Sequence, residues 1–302
     1  MVDSGGKNRA SIVAGDILCA KSDGSRYVFD ADDYADIAST DWTPIGVVVI
    51  PPSHDVYGTG EGAAVSLKYA NPNSPDGGPA TAFRNGQYNV DTTRTNFNRI
   101  NTTDNTSNPT ISHAYGGAIL PSDKFSDIEC ITDPNTYYIN DSSIPCAPSP
   151  YLSDGSRNED YYTTEYTEFN VLSDFDGIGN TDILCSLATA QSDWRTASTI
   201  TDKYSKGYSP AACCCWRYHT VGTNQGDWYF PAMGELGYLM VRFNTINNSI
   251  SNVGGITVLT NQFFWSSSEF SDDDAHTVYT QSGYVGSNGK NTSGYVKGFI
   301  HF

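Results

Sequence analysis

GDWYFPAMGELGYLM, residues 226–240, decides how the rest of this chain is read. Gly226-Asp227 makes a polar turn that runs into the apolar aromatics Trp228, Tyr229 and Phe230. Pro231 fits the first position of a helix, where its missing N–H is no loss. Beyond it, Leu236, Leu239, Met240 and Phe243 recur at helical spacing and form a core-facing stripe. Gly234 and Gly237 lower helix propensity, but they let another backbone come close. Asn247-Asn248 is the expected stop.

Upstream, two more helices are legible. In GNTDIL (179–184), Asn180 or Thr181 is the expected N-cap, with Asp182 in the first turn and Ile183, Leu184, Leu187 and Ala188 on one face. In PAACCCW (210–216), Ser209 fits the cap and Pro210 the first helical position; the segment is apolar all round and should be buried. Downstream the chain turns to strands. FWSSSE (264–269) reads as a buried strand entering a polar loop, His276–Thr280 alternates, and YVKGFIHF (295–302) alternates to the last residue.

Early in the chain, residues 15–20 and 26–29 flank the turn KSDGS and are expected to form a hairpin. IGVVVI (45–50) is the strongest strand. Its apolar residues are continuous, so both faces should be covered, with AAVSLK (63–68) as its partner. Residues 71–165 differ: Pro, Asn, Ser, Thr and Asp dominate, and the stretch reads as a long loop-rich insertion. Sequons at Asn101, Asn105 and Asn140 fit chance in such a composition.

Composition narrows the function classes. The chain has 302 residues with 34 acidic and 17 basic side chains, a net charge of −17 that argues against nucleic acid as a partner. Residues 1–15 show no apolar leader core, and no apolar run reaches membrane-spanning length, so synthesis in a cytoplasm and no membrane insertion are expected. The seven cysteines fit no zinc spacing and are expected as buried, reduced thiols.

The quoted motifs, at their spacing, resemble the C-type-lectin fold. The branch is the one that includes formylglycine-generating enzymes and the variable proteins of diversity-generating retroelements. The resemblance is close over 166–302, looser over 10–70, and absent from 71–165. It implies an α+β, C-type-lectin-like fold: small twisted antiparallel sheets flanked by two helices, with a long loop-rich insertion and a last strand paired to an early one. Trp228 and Trp265 are then core aromatics. The expected organisation is an N-terminal β segment (1–70) serving attachment and the opening strands, the insertion (71–165), and the lectin-like core (166–302).

The chain also resembles virion structural or adhesion proteins of crAss-like Bacteroides phages. This implies a non-enzymatic virion component made in the host bacterial cytoplasm: a head or tail fibre, decoration or host-adhesion protein. The implied partners are other virion proteins and a host-surface glycan or protein receptor, and the implied state is a homo-oligomer, taken as a trimer. Two alternatives stay open: a glycan-acting or formylglycine-generating-like enzyme on the same fold, and a bacterial surface adhesin.

In the retroelement relatives, the region matching residues 269–292 faces the ligand, and its Tyr, Ser, Gly and Asn suit adaptable contacts. Glu269, Asp272, Asp273, His276, Tyr279, Tyr284 and Asn288 are therefore the expected ligand-binding residues. No cofactor or metal is expected. DFDGIGNTD (174–182) opens like a Ca²⁺ loop but has Ile178 and Cys185 where oxygen ligands belong, so it reads as a turn and helix cap. All seven cysteines precede residue 216, so the cysteine chemistry of formylglycine-generating enzymes is not carried over, and no catalytic Ser-His-Asp or HExxH pattern is present.

Overall fold

The computed structural model describes residues 7–70, 81–82, 175–189, 210–255, 258, 262–269, 274–280, 285–289 and 292–302. Nearly all of the 71–165 insertion, together with Cys130 and Cys146, lies outside them. The described chain is a mixed α+β structure of small antiparallel sheets and a few helices.

Strands β1 (Ile17–Ala20), β2 (Arg26–Phe29), β3 (Thr43–Ile50) and β4 (Ala63–Ser66) precede the insertion. They join the C-terminal strand β10 (Phe299–His301) in one five-stranded sheet of order β10-β4-β3-β1-β2. β10 pairs with β4 through Phe299–Val65, Ile300–Ala64 and His301–Ala63, so the end of the chain closes onto its beginning. β3 is central, and Ile45 to Ile50 are all buried. Its unbroken apolar run has the expected cause: Val47 and Val49 enter one core, and Ile45 and Val48 enter another. Against β1 its register slips between Leu18 and Cys19, beside Pro44, which has no N–H to give the ladder. Gly46 permits the close approach to β4, because a Cβ there would stand 2.8 Å from the Val65 carbonyl.

Besides three 3-10 turns (Arg9–Ser11, Ala31–Asp33 and Pro52–His54), the described residues form a one-turn helix α1 (Tyr34–Ile37), a short strand β5 (Thr81–Ala82), and helices α2 (Gly177–Thr189), α3 (Pro210–Arg217), α4 (Met233–Val241) and α5 (Phe243–Asn252). Strands β6 (Phe263–Glu269), β7 (Asp274–Tyr279) and β8 (Val285–Gly289) form a three-stranded sheet, and β9 (Ser293–Gly294) pairs with β5.

The aromatic turn is the hub. Tyr229 belongs to the core under α4 and α5, Phe230 to the core between α2, α3 and β6, and Trp228 to the core behind the five-stranded sheet. Three consecutive aromatics thus anchor three separate apolar clusters. All are buried, as is Trp265. The Trp228 indole N–H still finds an acceptor, Thr223 Oγ1 at 3.1 Å. Tyr229 exchanges backbone hydrogen bonds with Phe299, tying the hub to the last strand.

Helix boundaries differ from the sequence reading. α2 begins at Gly177, and its cap is Asp176, whose carboxylate accepts from the Gly179 N–H at 2.9 Å. Asn180 and Thr181 are buried inside the helix and used for tertiary contacts instead. α3 does start at Pro210. α4 starts at Met233, not Pro231, and the helical stripe breaks at Arg242 and resumes as α5. Asn247 is therefore mid-helix, where its amide clamps the Val258 backbone through both N–H and C=O.

Candidate functional site

The sequence-derived site falls on the β6–β7–β8 sheet, and this sheet is held to the core by serines. The run Ser266-Ser267-Ser268 is buried, and each hydroxyl has a task. Ser266 Oγ donates to the His276 carbonyl at 2.9 Å, tying β6 to β7. Ser267 Oγ accepts from the Asn180 amide at 3.1 Å, tying β6 to α2. Ser268 Oγ accepts from the Met233 N–H at 3.0 Å. That last bond supplies α4 with a cap from another strand, because Ala232 at its N-cap position has no side-chain acceptor. Thr181 Oγ1 accepts the Phe230 N–H at 2.8 Å and completes the link from α2 to the aromatic turn. Three of the motifs that carry the resemblance, GNTDIL, GDWYFPAMGEL and FWSSSE, are thus joined by internal hydrogen bonds linking α2, the turn, α4 and β6.

On the outer part of the sheet, Thr277 and Tyr279 share one face of β7 and meet Asn288 from β8. The Asn288 amide nitrogen lies 2.9 Å from both Thr277 Oγ1 and Tyr279 Oη, and its carbonyl oxygen lies 3.2 Å from Tyr279 Oη. Tyr279 also leans on Phe263 at 5.8 Å between ring centres, and Phe263 meets Trp265 edge-on at 5.5 Å. Tyr279 and Asn288 are half-buried, so a phenol and an amide are held in fixed rotamers with part of each reaching solvent.

The other expected ligand-binding residues fare differently. Glu269 ends β6 opposite Ala275. Asp272, Asp273 and Tyr284 lie outside the described residues. His276 needs a correction: it is fully buried, so its ring is not a ligand-facing group. Burial takes its pKa down to about 3, only partly opposed by the Gly286 backbone. The physical reason is that β7 is covered on both faces from Ala275 to Val278, so alternation does not sort its side chains into inside and outside.

A second cluster escaped the sequence reading. Glu235 is fully buried near the start of α4. Its Oε1 accepts from Tyr229 Oη at 2.6 Å and Tyr57 Oη at 2.8 Å, and its Oε2 accepts from the Ala232 N–H at 2.7 Å. His301 from β10 stands 4.0 Å from the same carboxylate and 3.5 Å from Glu61, with its ring against Tyr57. Burial raises the Glu235 pKa above its ordinary value, against the lowering pull of His301, Tyr229 and the Ala232 amide. Burial and the adjacent Glu235 charge hold both tyrosines well above theirs. The signal was present in the sequence: a Glu two residues after the helix start is the returning half of a capping box. The acceptor arrangement is that of a scaffold, because these three bonds to the carboxylate come from groups fixed in the core or the helix start.

Among the described residues, no group of three or more His, Cys, Asp or Glu is placed to hold a metal ion. Cys19, Cys185, Cys213, Cys214 and Cys215 are buried free thiols. Burial pushes Cys19 and Cys214 up to about 12, so both stay protonated at neutral pH. No described helix is long and apolar enough to cross a membrane.

No family model matches the chain, and no curated protein matches it. Among solved structures it is similar to a fimbrial protein from Bacteroides ovatus ATCC 8483, at 16% identity and a TM-score of 0.49. The alignment covers 96% of this chain and 49% of that one, so the chain spans about half the length of that protein.

Proposed function

We propose that this chain is a non-enzymatic adhesion and display component of a phage virion, built on a C-type-lectin-like scaffold. In this reading the part of the β7–β8 pair that carries Tyr279 and Asn288 presents polar and aromatic side chains to a host-surface glycan or protein. One observation carries it: Tyr279 and Asn288 are locked together and to Thr277 while remaining part-exposed. A pre-ordered phenol–amide pair loses little entropy on binding, which suits it to recognition. The closure of β10 onto β4 is the strand pairing that the lectin-like scaffold requires.

The test is binding of the purified, labelled chain to a panel of gut Bacteroides-type cells and to arrayed glycans, with antibody labelling of phage particles. Tyr279→Ala and Asn288→Ala should each weaken binding about tenfold, as loss of a central aromatic or amide contact does. Particles that carry no label, together with binding indifferent to both substitutions, would sink the proposal. Label on bacterial surfaces instead of particles would move the same display role to a bacterial adhesin.

A further inference from the structure

Helices α2 and α3 pack on each other and meet through a pair of thiols. Cys185 lies on α2 and Cys213 on α3. Both are buried in the apolar cluster that also holds Leu184, Ala211, Ala212 and Phe230. The two thiols are hydrogen-bonded to each other. Successive residues of a helix point about 100° apart, so the three cysteines of α3 cannot all face α2. Cys213 takes that position, while Cys214 lines a cleft with Leu67 and Tyr69. Ala211 and Ala212 keep the surroundings of Cys213 small, and the spacing of packed helices follows the size of the side chains between them.

The place of the pair in the scaffold gives it leverage. Cys185 stands one turn beyond Thr181, on the same face of α2. Thr181 accepts the Phe230 N–H, and Asn180 donates to Ser267. A link at Cys185 therefore braces the helix that holds the aromatic turn and β6, and it does so from the side of α3.

We infer that Cys185 and Cys213 are a disulfide site, closed on oxidation into a covalent brace between α2 and α3. The step is thiol–disulfide exchange with a small disulfide, oxidised glutathione. One protein thiolate attacks it, which gives a mixed disulfide and releases one reduced glutathione. The second protein thiolate attacks the protein sulfur of that mixed disulfide and releases the other. Two protein thiols are oxidised, and their two protons and two electrons leave on the two glutathione thiols. Sulfurs already in hydrogen-bond contact have only to close to the bonding distance of about 2.05 Å. Burial holds the Cys213 thiol well above its ordinary pKa, so exchange is suppressed in the closed core and proceeds while the helices come together. This goes beyond the display reading and does not depend on it.

The test is refolding of the full chain from urea in a glutathione redox buffer, beside refolding in dithiothreitol. Free thiols are then alkylated and the disulfides mapped by proteolysis and mass spectrometry. Cys185 should be recovered linked to Cys213. Cys213 shares its tryptic peptide with Cys214 and Cys215, so the link should persist in the Cys214→Ala/Cys215→Ala double variant and vanish in Cys213→Ala. Oxidation should raise the thermal midpoint of wild type about 5 °C more than that of Cys185→Ala, as a cross-link between two helices does. The wild-type map decides the matter even if a variant does not fold. Cys185 recovered alkylated after oxidative refolding would overturn the assignment. So would its linkage to any other cysteine, or an equal rise in midpoint for wild type and Cys185→Ala.

Discussion

Replacing Glu235 with alanine strands three donors at once: Tyr229 Oη, Tyr57 Oη and the Ala232 N–H. A buried donor left without an acceptor costs about 1 to 2 kcal/mol, so the three together cost about 3 to 6. Removing a buried charge returns part of this, and the small void left behind takes some back. The net expectation is a loss of about 3 kcal/mol, a large fraction of a typical domain's stability. Glutamine is the informative contrast. Both tyrosines bond the same oxygen, Oε1, and the helix amide bonds the other. Glutamine keeps an oxygen for the tyrosines and turns its NH₂ toward the Ala232 N–H. It forfeits one bond, about 1 to 2 kcal/mol.

The pH dependence carries its own sign. The folded-state pKa of Glu235 is raised above 4.5, so the folded protein binds this proton more tightly than the unfolded chain. Wild type should therefore lose stability relative to Glu235→Gln as pH climbs above 4.5 through the folded-state pKa. Urea unfolding followed by tryptophan emission, with linear extrapolation at each pH, measures both effects. The reasoning is refuted if alanine costs no more than glutamine, because the two tyrosine bonds would then contribute nothing.

Gly177→Ala should cost about 2 kcal/mol in the same assay, because a Cβ there collides with the Glu235 carboxylate and the Tyr229 ring; a neutral result would mean that α2 shifts freely. Lys297 is buried, donates to the Ser66 and Leu67 carbonyls at 2.9 and 3.2 Å, and has its pKa lowered by burial to about 7. The unfolded chain then holds this proton more tightly, so wild type should gain on Lys297→Met as pH rises from about 7 to 10.5, and a flat difference would contradict it. His276, lowered to about 3, works in the same direction over a lower window. Wild type should lose stability against His276→Gln as pH falls from 6.5 toward 3, and proton-detected NMR should show a neutral ring at pH 5.

Much of the framework was readable without coordinates. The continuous apolar run of β3, the hairpin before it, Pro210 opening α3 and the stripe through Leu236, Leu239 and Met240 are all local patterns, and local patterns report which face of an element must leave water. Trp228 and Trp265 were expected in the core through the resemblance, and both are buried. The missed items share a different cause. Asn180, Ser267, Ser268 and Glu235 look like surface or loop residues by type, yet each is buried because a partner far along the chain satisfies it. His276 was assigned to a solvent face, but β7 is covered on both faces from Ala275 to Val278. Tyr279 and Asn288 were chosen from the resemblance and from composition, but their mutual lock depends on the β7–β8 register. The sequence by itself determined which segments are apolar, where turns fall, and the sign of the overall charge, because these depend on neighbours a few residues apart. Only the tertiary structure decided which polar groups are buried, because hydrogen-bond satisfaction is set by groups that the chain brings together from distant segments.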